Sequence, residues 1–127
     1  MLAVPPFRVL VVDDDPKIVH VLVHALRAQR YDVLGALTAR DGLRLISTSR
    51  PDLVLHDLTL PGMSGIELLR SIRSIDPNMR VIVVTGNTDP GVAREALELG
   101  AYAYVDKPFD IDYLMRVVSV ALQAPST

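Results

Sequence analysis

Seven polar residues of this chain stand directly after short apolar runs that read as buried strands. Asp13, Asp14 and Asp15 follow FRVLVV, Asp57 follows LVLH, Thr85 follows VIVV, and Asp106 and Lys107 follow YAYV. Carboxylates crowded together repel one another and need a counter-charge. Oxygen-only donors with water select Mg²⁺ or Mn²⁺ over Zn²⁺. A carboxylate beside such a metal can attack phosphorus and become an aspartyl phosphate. The metal and a lysine then offset the charge of the phosphoryl group in transit, and a hydroxyl such as that of Thr85 can donate to a phosphoryl oxygen. Lys107 stands out for a second reason. Of the 13 Lys and Arg residues only Lys17 and Lys107 are lysines, so a compact ammonium where the chain otherwise prefers a guanidinium fork calls for a reason.

Taken singly, each of these residues has an ordinary reading. A triple Asp before Pro16 is a solvated helix start, Asp57 a loop cap, Thr85 a strand-end turn residue and Lys107 a surface lysine. Their joint placement at the ends of four strands is what those separate readings leave unexplained.

The elements that would position them follow from periodicity. Phe7–Val12 is an apolar, β-branched strand, and Pro16 opens a helix to about Gln29 with Ile18, Leu22, Ala25 and Leu26 on one face. Asp32–Leu37 is a weaker strand interrupted by Gly35. Thr38 and Asp41 resemble a capping box for a helix that stops before Pro51. Leu53–His56 is a strand. Pro61–Gly65 is a loop, and Ser64 with Glu67 forms a capping-box pattern for a helix ending near Pro77. Val81–Val84 is a strand, about Asp89 to Leu99 a helix with Gly100 just past its end, Tyr102–Val105 the last strand, and about Asp110 to Leu122 the last helix. Strands alternating with helices imply right-handed crossovers and a parallel α/β sheet covered on both faces. In such sheets ligands bind at the carboxyl ends of the strands, where the seven polar residues lie.

Bulk properties narrow the function further. The 127 residues, half of them hydrophobic, suit one domain with a full core. Mean hydropathy is +0.30, yet no apolar run approaches a membrane span, and Met1–Phe7 does not read as a signal peptide. With no cysteine there is no disulfide and no thiolate zinc site, and the reducing cytosol is the expected location. A net charge of −2 without a basic tract argues against nucleic-acid binding by this chain.

The segments VLVVDDDP, LHDLTLPGMSG, VVTG and AYVDKPF resemble the four signature segments of response-regulator receiver domains, in order, across Phe7 to about Leu122. The resemblance implies a flavodoxin-like, doubly wound α/β fold of five parallel strands in the order 2-1-3-4-5 with five helices. Residues 1–6 would be an N-terminal extension, 7–122 the receiver domain, and 123–127 a tail or the start of a linker. It implies that Asp57 is the phosphoacceptor, that Asp14 binds Mg²⁺ directly with Asp13 helping through water, and that the Thr59 carbonyl is a further ligand. Thr85 and Lys107 would contact the phosphoryl group, Tyr104 would be the aromatic switch residue, and the Lys107–Pro108 peptide would be cis. The implied partners are a sensor histidine kinase or phosphotransfer protein and an output domain or effector. The chain would catalyse only its own phosphorylation and dephosphorylation. His56 departs from the family pattern, which favours an apolar residue there; Thr59 and Asn87 occupy positions that influence the lifetime of the phosphoryl group.

Rival functions lack their signatures. A second Asp two residues after Asp57, wanted by aspartyl phosphatases, is replaced by Thr59. Gly62–Ile66 fails the serine-hydrolase elbow, and neither a dinucleotide fingerprint nor a P-loop occurs. The serious alternative is a pseudo-receiver acting only as a protein-interaction module, which would be expected to lack part of the acidic set or the lysine. His20 and His24 are four apart on the first helix but without a third ligand, and read as a solvated face. His56 reads as a partly buried strand-end residue.

Overall fold

The computed structural model describes residues 6–124; Met1–Pro5 of the expected extension and Pro125–Thr127 of the expected tail lie outside the described residues. Ten elements alternate along the chain: β1 (Arg8–Val12), α1 (Pro16–Ala28), β2 (Asp32–Ala36), α2 (Ala39–Ser49), β3 (Leu53–His56), α3 (Gly65–Ile75), β4 (Arg80–Thr85), α4 (Pro90–Glu98), β5 (Ala103–Asp106) and α5 (Ile111–Gln123). The strands form one parallel sheet in the order β2-β1-β3-β4-β5, as expected. Boundaries move by a residue or two at strand ends and helix termini.

The helix starts have local causes. Asp15, Thr38, Ser64, Asp89 and Asp110 each stand in extended conformation as N-cap and accept a hydrogen bond from a main-chain N–H of the first turn. Asp89 and Asp110, expected as first helical residues, are therefore caps. Pro16 and Pro90 fill first-turn positions that need no N–H donor. Gly100, at φ 91°, takes the left-handed conformation that ends α4.

Every central strand is buried on both faces. Leu10, Val12, Val54, Val81 and Val83 pack with Leu68, Leu69, Ile72 and Ala96 of α3 and α4. Val9, Val11, Leu53, Leu55, Ile82 and Val84 pack with Leu22, Leu26, Leu114, Val118 and Leu122 of α1 and α5. Each fully buried leucine here is worth ~1.5–3 kcal/mol relative to exposure. The Arg73 guanidinium of α3 donates to the carbonyls of Leu99, Gly100, Met79 and Pro77, tying the end of α4 to the base of β4. The loop between β4 and α4 is thus held at one end by the sheet and at the other by a pinned helix. Among the described residues no helix is long and apolar enough to cross a membrane.

Candidate functional site

In the order 2-1-3-4-5 the chain reverses its direction of winding between β1 and β3, and sheets of this kind bind ligands at that point of the carboxyl edge. Val12 and His56 are register partners at the ends of these two strands. The next residues, Asp13 and Asp57, therefore meet at that edge. Both are buried, whereas Asp14 faces solvent. A carboxylate oxygen from each of Asp13, Asp14 and Asp57 lies within 4.8 Å of the others. Among the described residues this is the one group of three that could hold a metal ion. Its donors are all carboxylate oxygen and one side is open to water, which fits Mg²⁺ or Mn²⁺ and does not favour Zn²⁺.

Lys107 arrives from the far side of the site, just past β5. Its Nζ donates to Asp13 Oδ2 at 2.6 Å and to Asp57 Oδ2 at 2.8 Å. The Lys107 main-chain N–H bonds the Thr85 carbonyl at 2.8 Å, and the Lys107–Pro108 peptide is cis. Three carboxylates lie around this single ammonium, which bonds two of them, so the cluster stays net negative.

The two buried acids respond differently to one shared lysine. Burial pushes both upward. At Asp57 the opposing effects of the Lys107 and Thr59 N–H hydrogen bonds and of the nearby Thr85 hydroxyl win, and its carboxyl sits below the ordinary value. Asp13 has Lys107 and the Asp15 N–H but no further donors, so burial wins and its carboxyl sits above the ordinary value. Lys107 loses hydration too, yet its bonds to Asp13 and Asp57 hold its ammonium above the usual lysine value. Asp57 is thus the more readily ionised of the two acids, and Asp13 carries chiefly the cost of burial, with the Asp57 charge a smaller addition. Replacing Asp13 with Ala is expected to leave the metal-free domain as stable as wild type or more stable, by up to about 1–2 kcal/mol. Thermal melts in chelator check this, and a large loss would contradict the crowding.

The surrounding residues are placed as follows. The Thr59 N–H donates to Asp57 Oδ1 at 3.1 Å. Thr85 is fully buried, and its Oγ1 accepts from the Asn87 N–H at 3.2 Å. Tyr104 donates its hydroxyl to the Asn87 carbonyl at 2.7 Å, on the loop after β4. Asp15 caps α1, Asp106 is exposed, and His20 and His24 lie exposed on α1. His56 differs from expectation. It is fully rather than partly buried, because it ends a central strand covered on both faces. Two features went unread in the sequence: the His56 ring bonds the Asp57 carbonyl, and Gly65 lies against Asp57 and Leu58. Both are contacts across a turn, which no periodicity signals.

The model of the response regulator receiver domain family matches residues 9–119. The chain belongs to that family. This receiver domain is 37% identical to sporulation initiation phosphotransferase F of Bacillus subtilis, over 94% of this chain and 96% of that protein. It is 39% identical to the regulatory protein AtoC of Escherichia coli K12, over 94% of this chain but 26% of that protein. It therefore spans nearly all of one curated relative and about a quarter of another. Among solved structures, the CheX–CheY–BeF3–Mg²⁺ complex of Borrelia burgdorferi superposes with a TM-score of 0.88 at 26% identity, over 94% of this chain and 91% of that one.

Proposed function

We propose that this receiver domain accepts a phosphoryl group on Asp57 in a Mg²⁺-dependent reaction and changes conformation in response. The observation that carries the reading is the ionised Asp57 carboxylate held between Lys107 Nζ and the Thr59 N–H, beside Asp13 and Asp14. A related receiver solved with BeF3 and Mg²⁺ supports it. The receiver unit would be residues 7–122, flanked by an extension and a tail or linker, working in the cytoplasm. The donor would be a histidine kinase, a phosphotransfer protein or a small phosphodonor. Readout would pass to an output domain or separate effector; one relative matched here is a longer regulator and another is receiver-sized. The domain would turn over no other substrate.

An Asp57 carboxylate oxygen attacks the phosphorus of the donor. The new O–P bond forms as the P–N or P–O bond to the leaving group breaks, and the leaving group departs with the electron pair. Asp14, Asp57 and the Thr59 carbonyl would hold Mg²⁺, with Asp13 acting through water. When bound, the metal supplies positive charge against the phosphoryl oxygens and the acidic cluster. Lys107 shifts from pairing two carboxylates to pairing one carboxylate and a phosphoryl oxygen. The Thr85 hydroxyl donates to another phosphoryl oxygen, leaves Asn87 and vacates space behind it. Tyr104 gives up its bond to the Asn87 carbonyl and turns inward, and the surface of α4, β5 and α5 changes with it.

The deciding experiment is intact mass after incubation with acetyl phosphate and Mg²⁺, with Asp57→Asn alongside. One added phosphoryl group in wild type alone, lost on chelation, is the expected result. No addition and no Mg²⁺ binding would leave the pseudo-receiver; addition surviving Asp57→Asn would put the site elsewhere. A structure with a phosphoryl mimic tests the switch, and an unchanged Tyr104 rotamer would end that part of the reading.

A further inference from the structure

His56 is buried to 1% exposure, and its Nδ1 lies 2.8 Å from the Asp57 carbonyl oxygen. A carbonyl only accepts, so Nδ1 carries the proton and Nε2 is the bare acceptor. That Nε2 is buried and has no hydrogen-bond partner among the described residues. An unpaired buried acceptor is unfavourable, and an aliphatic side chain of similar size would fill the same place in the apolar layer without it. What imidazole adds over leucine is the Nδ1–H donor, and that donor has one target.

The target is a corner of the backbone. The Asp57 N–H still bonds the Val12 carbonyl of β1 at 3.2 Å, but β3 ends at His56 and the Asp57 carbonyl leaves the ladder. One residue on, the Leu58 carbonyl turns to the Gly65 N–H at 2.8 Å. Two residues on, the Thr59 N–H returns to Asp57 Oδ1. The orientation of the Asp57–Leu58 peptide thus sets both where the Asp57 carboxylate points and where the chain carries Thr59.

We propose that His56 is a positioning residue: its Nδ1–H holds the Asp57–Leu58 peptide plane, so that the Asp57 carboxylate and the Thr59 carbonyl face the metal and phosphoryl group together. This rests on Asp57 being the phosphoacceptor. An aliphatic residue at this position leaves that peptide to be fixed by the strand and loop alone; here the side chain shares the task.

The test uses three variants of the whole chain. His56→Leu removes the donor and keeps the bulk. His56→Asn places an amide N–H where Nδ1 stands, and His56→Gln places it nearer Nε2. Calorimetric Mg²⁺ titration and the rate of phosphoryl addition from acetyl phosphate are read together, with melts in chelator. The expected result is Mg²⁺ affinity roughly tenfold weaker in the Leu and Gln variants, as for other groups that orient metal ligands, with slower addition at limiting Mg²⁺. His56→Asn recovers most of both. The three melts do not follow that order. Wild-type behaviour in His56→Leu, or equal losses in the Asn and Gln variants, overturns the positioning role. Should His56→Leu not fold, the Asn–Gln contrast still decides. A wild-type chain that neither binds Mg²⁺ nor gains a phosphoryl group overturns the receiver reading itself, a distinguishable failure.

Discussion

Replacing Lys107 with Met is expected to destabilise the metal-free domain by about 2–3 kcal/mol and to slow phosphorylation of Asp57 at least ~100-fold. The first figure follows from taking one partner out of a largely buried ion group. Lys107 Nζ is the cation bonded to both Asp13 and Asp57, and removing it leaves two crowded carboxylates without it. Breaking a fully buried pair in this way costs ~3–5 kcal/mol, less here because the side chain of Lys107 is 20% exposed. The second figure is the usual cost of losing one preorganised charge at a reacting centre. Because Asp57 sits below its ordinary value of 3.8 and Lys107 above its ordinary 10.5, the pair is fully charged at neutral pH. Its contribution fades only as acid protonates Asp57 or strong alkali discharges Lys107. Metal should compensate: Mg²⁺ in excess of its Kd stabilises the variant more than wild type, since the bare acids bind it better. Urea unfolding with and without Mg²⁺, at neutral pH, measures both effects. A variant as stable as wild type in chelator would mean that the ammonium does not hold the acids together.

A single methyl group at position 65 is expected to cost about 3 kcal/mol. Gly65 is the first residue of α3, in a conformation any residue adopts, so helix propensity favours alanine there. The obstacle is space. A Cβ at Gly65 would overlap Leu58 Cα and lie 2.5 Å from the Asp57 carbonyl oxygen. Both are backbone atoms that no rotamer change can move away. Relief requires shifting α3 from the sheet or bending the chain after β3, and the second displaces Asp57 and Thr59. Gly65→Ala should therefore lose phosphorylation along with stability. Gly86→Ala is the control, because nothing lies within 4 Å of its would-be Cβ, and a change within ~0.5 kcal/mol is expected. Equal stabilities for the two variants by urea unfolding would show that the close approach at Gly65 is not a constraint.

Much of this architecture is local in origin, and so was open to reading along the chain. The alternation of β-branched runs with helical stripes leaves few alternatives to a parallel sheet, and Asp15, Thr38, Ser64, Asp89 and Asp110 act within a turn of their own positions. The strand-end polar residues were likewise identifiable, because the middle of a two-sided strand tolerates no charge. Identity alone, however, does not say what a side chain touches. That Lys107 spans from β5 to reach Asp13 and Asp57, that Asp57 lies near the Thr85 hydroxyl as Asp13 does not, and that Tyr104 is held by Asn87 are consequences of strand order and register. His56 shows the boundary most clearly. Its position in the sequence marks a strand end, and a strand end is ordinarily half open to solvent. Two helical layers over the central strands close it off completely, and a one-residue turn brings the next carbonyl onto its ring nitrogen. The sequence by itself determined which chemical groups end each strand. Only the tertiary structure decided which of them share a proton donor, because that depends on distances between strands far apart in the chain.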